Sequence, residues 1–268
     1  MKYDLFVSDF DGTLGYPDMS VSSQNIEAIR EFEKRGGKFV LCTGRMYASA
    51  KRICEMHGFK GLVISYQGAC IHEIETGRRL LNGGLDYNAA AEIVGRLKKD
   101  DCMAVVNLDG GMYCEKENIY TDYHKQFLQV QVVDDLIKLL YDKKETVSKV
   151  VGVDIPERVA ELRQKYSAEY DPAKFTFNSG GEHLLEIINP AYSKGNAVEF
   201  VAKYYNMPYE KIIAIGDSTN DKELLGGAWY GVAVGDGAEE LKKVADEVTV
   251  PFADNPVCEI IKKHCLNG

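Results

Sequence analysis

The sequence predicts an α/β fold with a parallel-sheet core and an inserted α+β domain. In the first 65 residues, and again after residue 190, short apolar runs alternate with helical patterns. This alternation predicts parallel strands joined by right-handed helical crossovers. Between these two stretches strand-like runs follow one another more closely, which indicates a separate α+β layer. A chain of 268 residues, 45% of them hydrophobic, is long enough for one large domain or two smaller ones.

The predicted core strands are short buried runs with helical patterns between them. Residues 5–7, 39–41 and 62–64 are strands of this kind, and a helix over residues 23–35 ends at two glycines. After residue 190 an amphipathic helix precedes two further strands, at residues 212–215 and 231–234. We therefore expect a discontinuous core.

The inserted domain is predicted from a change of pattern at Gly83-Gly84 and a return at Asn189-Pro190. The expected strands of the insert are residues 103–108, 112–115, 147–154, 175–178 and 184–188, with helices over residues 88–99 and after Pro156. The predicted division is residues 1–82 and 190–268 for the core and 83–189 for the insert.

Composition and charge exclude several classes of function. The formal net charge is −9, from 41 acidic and 32 basic residues, so we expect no nucleic-acid or membrane partner. The seven cysteines form no CxxC pair, which argues against a disulfide framework or a zinc site. With no signal-peptide pattern and no apolar run of membrane-spanning length, we expect a cytoplasmic protein.

Two carboxylates follow the first predicted strand. Asp9 and Asp11 flank Phe10, and Gly12 allows a sharp turn after them. Ligands of open α/β sheets bind beyond the carboxyl ends of strands, and residues two apart on a strand point the same way. Asp9 and Asp11 can therefore reach one pocket. The alternative is an ordinary polar turn.

A second acidic group, Asp217 and Asp221 with Asn220 between them, follows the strand at residues 212–215. Alone it also fits a helix N-terminus. If Asp9, Asp217 and Asp221 meet at one sheet edge, each pair 4 Å apart would repel by about 4 kcal/mol at an effective dielectric constant of 20. Such a cluster needs a cation or bound protons, and oxygen-only ligands favour Mg²⁺ over zinc.

Two further elements are candidates for holding a phosphate. Thr43 and Gly44 follow the second strand, although three residues of loop are a weak signal alone. Lys194 begins a helix, where the helix dipole prefers anions. A counter-charge to a bound phosphate explains this lysine better, and a solvated surface lysine is the alternative.

These four elements, in this order, resemble the haloacid dehalogenase (HAD) superfamily of phosphohydrolases. The matching motifs are DxDGT at residues 9–13, the threonine at Thr43, the lysine at Lys194 and GDxxND at residues 216–221. The segment 175–195 and the insertion resemble the Cof-like subgroup, which implies a Rossmann-like core with an α/β cap domain. Three departures from the family pattern, at Gln67-Gly68-Ala69, at the bulky Ala228-Trp229-Tyr230 and at Ala233-Val234-Gly235-Asp236, affect substrate-side and loop-packing details.

The resemblance implies a role for each matched residue. Asp9 is the expected nucleophile that becomes an aspartyl-phosphate, and Asp11 the acid and base. The expected Mg²⁺ ligands are Asp9, the backbone carbonyl of Asp11 and Asp217, supported by Asp221. The residues expected to hold the phosphoryl group are Thr43, Gly44, Lys194 and Asn220.

The expected activity is Mg²⁺-dependent hydrolysis of a small phosphorylated metabolite, of the sugar-phosphate type. A sugar phosphomutase remains open because the same motifs serve both reactions. A phospho-accepting or phosphosugar-sensing binding module is the alternative from another class. The substrate is not identified, the loop at residues 178–183 is a candidate for specificity, and the oligomeric state is open.

Overall fold

The computed structural model describes residues 1–108, 111–125 and 129–266. The chain divides into two compact units, one of Met1–Leu81 with Ser193–Gly268 and the other of Asn82–Tyr192. No helix among the described residues is both long and apolar enough to span a bilayer.

Strands and helices alternate along most of the chain. The strands are β1 (Leu5–Ser8), β2 (Lys38–Cys42), β3 (Leu62–Ser65), β4 (Cys70–Glu73), β5 (Arg79–Asn82), β6 (Met103–Leu108), β7 (Gly111–Cys114), β8 (Val130–Val132), β9 (Lys149–Val153), β10 (Thr176–Ser179), β11 (Leu184–Ile188), β12 (Ile212–Gly216), β13 (Tyr230–Ala233) and β14 (Glu247–Val248). The α-helices are α1 (Ser23–Lys34), α2 (Tyr47–His57), α3 (Tyr87–Lys99), α4 (Ile119–His124), α5 (Leu136–Lys143), α6 (Pro156–Glu169), α7 (Lys194–Tyr204), α8 (Lys222–Leu225), α9 (Glu239–Lys242) and α10 (Pro256–Ile261).

The sheet of the first unit has the strand order β14-β13-β12-β1-β2-β3-β4-β5. The pairs from β14 through to β3 are parallel, and β3 pairs with β4 in the antiparallel sense. Strand β1 lies beside β12 although these two strands are far apart in the sequence, with Ser8 opposite Ile215. The predicted α/β class with a parallel-sheet core is confirmed.

The helices of this unit form where apolar spacing and caps agree. Helix α1 begins after Ser22, whose side chain accepts from the Asn25 amide, and it buries Ile29 and Phe32. Helix α7 begins after Ser193, which caps the Asn196 amide in the same way. The buried side of α7 packs with β1, β2 and β12 in one apolar cluster. This packing fixes the start of α7 relative to the central strands.

The second unit has a six-stranded sheet in the order β10-β11-β9-β6-β7-β8. Its pairs are antiparallel, except that β7 and β8 are parallel. Helices α3, α5 and α6 bury their apolar residues against the sheet in one cluster. Because these helices share one core with alternate strand residues, the unit is the α+β layer that the sequence predicted.

A polar network joins two helices of the second unit. The Asp100 carboxylate accepts hydrogen bonds from Arg96 (3.0 Å), Lys165 (2.9 Å) and the buried Tyr166 hydroxyl (2.9 Å). Partial burial opposes ionisation, but these hydrogen bonds hold the pKa of Asp100 well below its usual range. The network therefore stabilises the unit while the Asp100 carboxylate is ionised.

Replacing Asp100 with Asn is expected to lower the free energy of unfolding by about 1–3 kcal/mol at pH 7, because Tyr166 and Lys165 lose a charged acceptor. A carboxyl group with a depressed pKa contributes its stability above the unfolded-state pKa and loses it below. The difference between the two proteins should therefore shrink as the pH falls below about 4. Urea unfolding at several pH values measures this, with the exposed Asp142→Asn as control. An equal deficit at every pH would contradict the prediction.

Candidate active site

Asp9 and Asp217 lie side by side because the strands that precede them are neighbours. Asp9 directly follows β1, and its amide donates to the Ile215 carbonyl on β12 (3.0 Å). Asp217 directly follows β12. One carboxylate oxygen from each of Asp9, Asp217 and Asp221 lies within 4.8 Å of the others. The structure therefore brings together the three carboxylates that the sequence placed at this edge.

Lys194 contributes a buried cation to this carboxylate cluster. Its Nζ donates to Asp9 Oδ1 and to Asp221 Oδ1, each at 2.6 Å, and the lysine side chain is 1% exposed. Two glycines let the start of α7 lie close to the backbone of neighbouring segments. A Cβ on Gly68 would overlap the Ser193 carbonyl, and one on Gly195 would lie 2.6 Å from the Glu223 carbonyl. Lys194 thus reaches the carboxylates from a tightly packed helix start.

Asp221 is fully buried, and both of its carboxylate oxygens have partners. Oδ1 accepts from Lys194, while Oδ2 accepts from the amides of Asp217 (3.2 Å) and Ser218 (3.1 Å). A Cβ on Gly216 would lie 2.7 Å from the Asp221 side chain, so the loop closes tightly around it. Asp221 therefore holds the loop that carries Asp217.

Two residues after the first strand position the Asp217 carboxylate. The buried Thr13 hydroxyl donates to Asp217 Oδ1 at 2.8 Å. Gly12 has a φ of +75°, and a Cβ there would lie 2.6 Å from Asp217 Oδ2. Only glycine suits this backbone conformation and this approach. The contact of Thr13 with Asp217 was not predicted, because it depends on the turn that Gly12 makes.

The cluster carries more negative than positive charge. Burial raises the pKa of Asp9 well above its usual range, with Lys194 opposing the shift. Burial also raises the pKa of Asp217, to about 6. Burial would lower the pKa of Lys194, but the Asp221 and Asp9 carboxylates raise it above its ordinary value. Three carboxylates share one lysine, so a divalent cation bound by oxygen ligands fits this donor set.

Asp11 does not belong to the three-carboxylate cluster. Its side chain is 48% exposed and forms a two-point ion pair with Arg45, with Nε–Oδ2 at 2.8 Å and Nη2–Oδ1 at 2.6 Å. The guanidinium group also donates to the Pro17 carbonyl, and it lies 4.9 Å from the centre of the Phe10 ring. Arg45 is thereby fixed on three sides, and it fixes the Asp11 carboxylate in turn. The sequence assigned no role to Arg45.

The candidate phosphate-binding residues lie around two loops. Thr43 follows β2, is 1% exposed, and its hydroxyl accepts from the Arg45 amide at 3.1 Å. A Cβ on Gly44 would overlap the Gln67 amide group, to which the Asn220 side chain donates at 3.4 Å. Gln67 itself has a positive φ of 57°, which is uncommon for a residue with a side chain. The structure therefore groups Gly44 and Asn220 around Gln67.

A family model described as haloacid dehalogenase-like hydrolase matches residues 6–261. The chain belongs to that family. The family resemblance stated from the motifs is thus confirmed, and so is the expectation of an enzyme of the hydrolase class.

Several relatives of this HAD-like hydrolase are named phosphatases. Phosphatase YwpJ of Bacillus subtilis is 30% identical over 98% of this chain and 99% of its own length. A second Bacillus subtilis protein, the 5-amino-6-(5-phospho-D-ribitylamino)uracil phosphatase YitU, is 25% identical over 97% of both chains. A crystal structure of a Thermotoga maritima protein superposes with a TM-score of 0.85 at 27% identity, covering 99% of this chain and 100% of the other.

Proposed function

We propose that this HAD-like hydrolase is a Mg²⁺-dependent phosphatase that transfers the phosphoryl group of a small metabolite to Asp9 and then to water. The observation that carries the proposal is the grouping of Asp9, Asp217 and Asp221 around Lys194 at the carboxyl edge of the sheet. The phosphatase names of its relatives support the reaction class. The first compact unit is proposed as the catalytic core and the inserted unit as the α/β cap.

Asp9 is suited to act as the nucleophile. Lys194 holds Oδ1, which leaves Oδ2 as the oxygen that can attack phosphorus. The new bond joins Asp9 to phosphorus, and the bond from phosphorus to the leaving oxygen breaks. Water then attacks the phosphoryl-Asp9, which releases phosphate and restores the carboxylate. Lys194, with its three N–H donors, also offers positive charge to the transferring group.

Asp11 is the proposed acid and base. It would give a proton to the leaving oxygen in the first step and take one from water in the second. Its carboxylate is held by Arg45 rather than by the buried cluster, so its charge adds little to the repulsion there. Thr43, Gly44 and Asn220, together with Lys194, are proposed to hold the phosphoryl oxygens.

The residues proposed to hold Mg²⁺ are Asp9, Asp217 and the backbone carbonyl of Asp11, with Asp221 supporting the loop of Asp217. When bound, the ion offsets the negative charge of the carboxylates and of the phosphoryl group. The support from this chain is its donor set, the buried Asp9 and half-buried Asp217 carboxylates, whose pKa values are raised by burial.

The proposed substrate class is a phosphorylated sugar or sugar alcohol. Two relatives from Bacillus subtilis, YitU and YwtE, carry names that specify a phosphorylated ribityl chain. The acidic net charge of the chain argues against nucleic acid as the substrate.

Hydrolysis of an aryl phosphate tests the proposed reaction. After EDTA treatment the enzyme should be inactive, and added Mg²⁺ should restore phosphate release, because the clustered carboxylates need the ion's charge. The measurement is free phosphate over time, with and without the metal. Equal turnover in EDTA and in Mg²⁺ would reject the metal-dependent mechanism.

Replacing Arg45 with Ala is expected to lower kcat by about ten- to a hundredfold on an alkyl phosphate, because Asp11 loses its two-point support. The loss should be smaller on a nitrophenyl phosphate, whose leaving group needs little protonation. Arg45→Lys keeps the positive charge but not the two-point contact with Asp11, so its kcat should lie between those of the wild type and Arg45→Ala. Equal losses on both substrates would contradict a role for Arg45 in positioning the acid.

A further inference from the structure

A polar cavity lies in the first unit at the edge of the sheet opposite to Asp9. Its volume is about 550 Å³, within the range of small-molecule pockets. The end of α1, the start of β2, the connection from α2 to β3 and the residue after α7 line it. Because parallel strands all begin at one edge, these helix-to-strand connections meet there. Its principal side chains are Arg30, Glu33, Lys34, Lys38, Lys60 and Tyr205.

The lining carries four cationic side chains against one carboxylate, Glu33. This is unusual in a chain whose formal net charge is −9. The four cationic residues are exposed, and their like charges repel one another weakly across the water that fills the cavity. An anionic occupant would offset that repulsion.

The cations of the cavity differ from many others in the molecule in their partners. Burial raises the pKa of Glu33, and the nearby Lys60 and Arg30 oppose that shift. Among the described residues, none of the four forms a salt bridge. Arg30 donates to the His57 carbonyl at 3.5 Å, and Lys38 lies 4.5 Å from the centre of the Tyr205 ring. Elsewhere lysines such as Lys98 and Lys138 contact carboxylates at 2.7 and 3.0 Å. The four cations of the cavity thus keep charge available for a ligand.

Helix electrostatics accounts for only part of this arrangement. Lys34 lies in the last turn of α1, where a cation suits the helix dipole. Lys38 instead begins a strand, and Lys60 lies in the loop before β3, so the helix dipole explains neither of these lysines. The Gly61 amide is already bonded to the Glu75 carboxylate at 3.1 Å. Recognition of an anion here would therefore rest on the side chains.

We propose that this cavity binds a small molecule carrying at least two phosphate groups, at a site separate from Asp9. The four cations less the Glu33 carboxylate leave three positive charges, more than a single phosphate monoester carries, whereas a diphosphate carries about three or more negative charges at pH 7. Strand β2 runs from Lys38 at this edge to Cys42 beside Thr43, a span of about 13 Å. The bound molecule would be out of reach of the carboxylate cluster, so the inference does not depend on the proposed function.

Binding of methylenediphosphonate, which phosphatases cannot hydrolyse, tests the inference in EDTA. Amide chemical shifts of the ¹⁵N-labelled full chain should move at residues 30–38, 58–61 and 205. The charge-reversed variant Lys34→Glu/Lys60→Glu should bind about tenfold more weakly or worse. The control Lys174→Glu/Lys243→Glu makes the same change in net charge at exposed lysines outside the cavity and should keep its affinity within about twofold. Aryl phosphatase activity should be unchanged in both.

Three results would overturn the inference. Shifts confined to residues near Asp9 and Thr43 would place the diphosphonate in the active site alone. Equal loss of affinity in both double variants would indicate a general effect of net charge. Binding of a single-stranded RNA oligomer without binding of the diphosphonate would point to a macromolecular partner instead. The milder variant Lys34→Gln/Lys60→Gln provides the same comparison if the charge reversal prevents folding.

Discussion

Replacing Asp9 with Asn is expected to lower kcat by about 10⁴-fold or more while leaving the metal-free protein at least as stable as the wild type. An amide of the same shape cannot take up the phosphoryl group, and loss of a catalytic nucleophile has effects of this size. The effect on stability runs the other way, because the substitution removes one of the two buried carboxylates that contact Lys194, beside the half-buried Asp217 carboxylate. Lys194 keeps its contact with Asp221.

The stability difference should depend on pH and on Mg²⁺. Burial raises the pKa of Asp9 in the folded protein, so the wild type loses stability as the pH rises above the unfolded-state value near 4. Asp9→Asn should lose less over the same range. Mg²⁺ should reverse the order, because it stabilises the protein that binds it more tightly.

Thermal unfolding in EDTA and in Mg²⁺, combined with phosphate release, measures both parts of this prediction. Asp4→Asn is the matched control, since Asp4 precedes the same strand β1 at its other end and its carboxylate pairs with the partly exposed Lys211. If the metal-free Asp9→Asn variant unfolds at a much lower temperature than the wild type, electrostatic repulsion does not destabilise the carboxylate cluster and the prediction fails.

Much of the candidate site could be predicted because it depends on strand ends. Asp9 and Asp217 each follow a short apolar run that predicts a buried strand, and parallel strands align their carboxyl ends. Lys194 was flagged because a cation at a helix N-terminus lacks a local reason. The structure supplies that reason in the carboxylates of Asp9 and Asp221.

The remaining features depend on contacts that no local pattern contains. Asp11 was expected by strand alternation to share a pocket with Asp9, and this stays a prediction: β1 ends at Ser8, and the chain turns at Gly12, whose φ is +75°. The Asp11 carboxylate is thus free to pair with Arg45, 34 residues away in sequence. The roles assigned to individual site residues stay predictions, which the variants described above test.

Some of the smaller elements also lacked a signal in the sequence. Strands β5 and β8 have only four and three residues, none of them fully buried, so they are too short for a strand pattern to be recognised in the sequence. Helix α4 has only six residues, too few for a helical period to be recognised. In these elements the tertiary structure decides the conformation, which sequence patterns do not report.

Replacing Lys194 with Met is expected to lower the free energy of unfolding by about 3–5 kcal/mol at pH 7 and to abolish measurable turnover. Removing one partner of a buried ion pair leaves charge without compensation, and here two carboxylates lose their cation at once. Asp9 would respond by binding a proton, since Lys194 no longer opposes the rise of its pKa, so the deficit should be smaller at pH 5 than at pH 8. Urea unfolding at several pH values measures this, with the exposed Lys203→Met at the other end of α7 as control.

The double variant Lys194→Met/Asp9→Asn separates lost charge balance from lost packing. If the destabilisation comes from uncompensated charge, removing the Asp9 carboxylate should restore about 1–3 kcal/mol of the deficit, as coupled neighbours do. If the destabilisation comes instead from altered packing at position 194, the second substitution should restore nothing. Met fills a volume similar to that of Lys, so this packing loss should be small. A Lys194→Met protein within about 1 kcal/mol of the wild type would be at odds with the buried ion pairs.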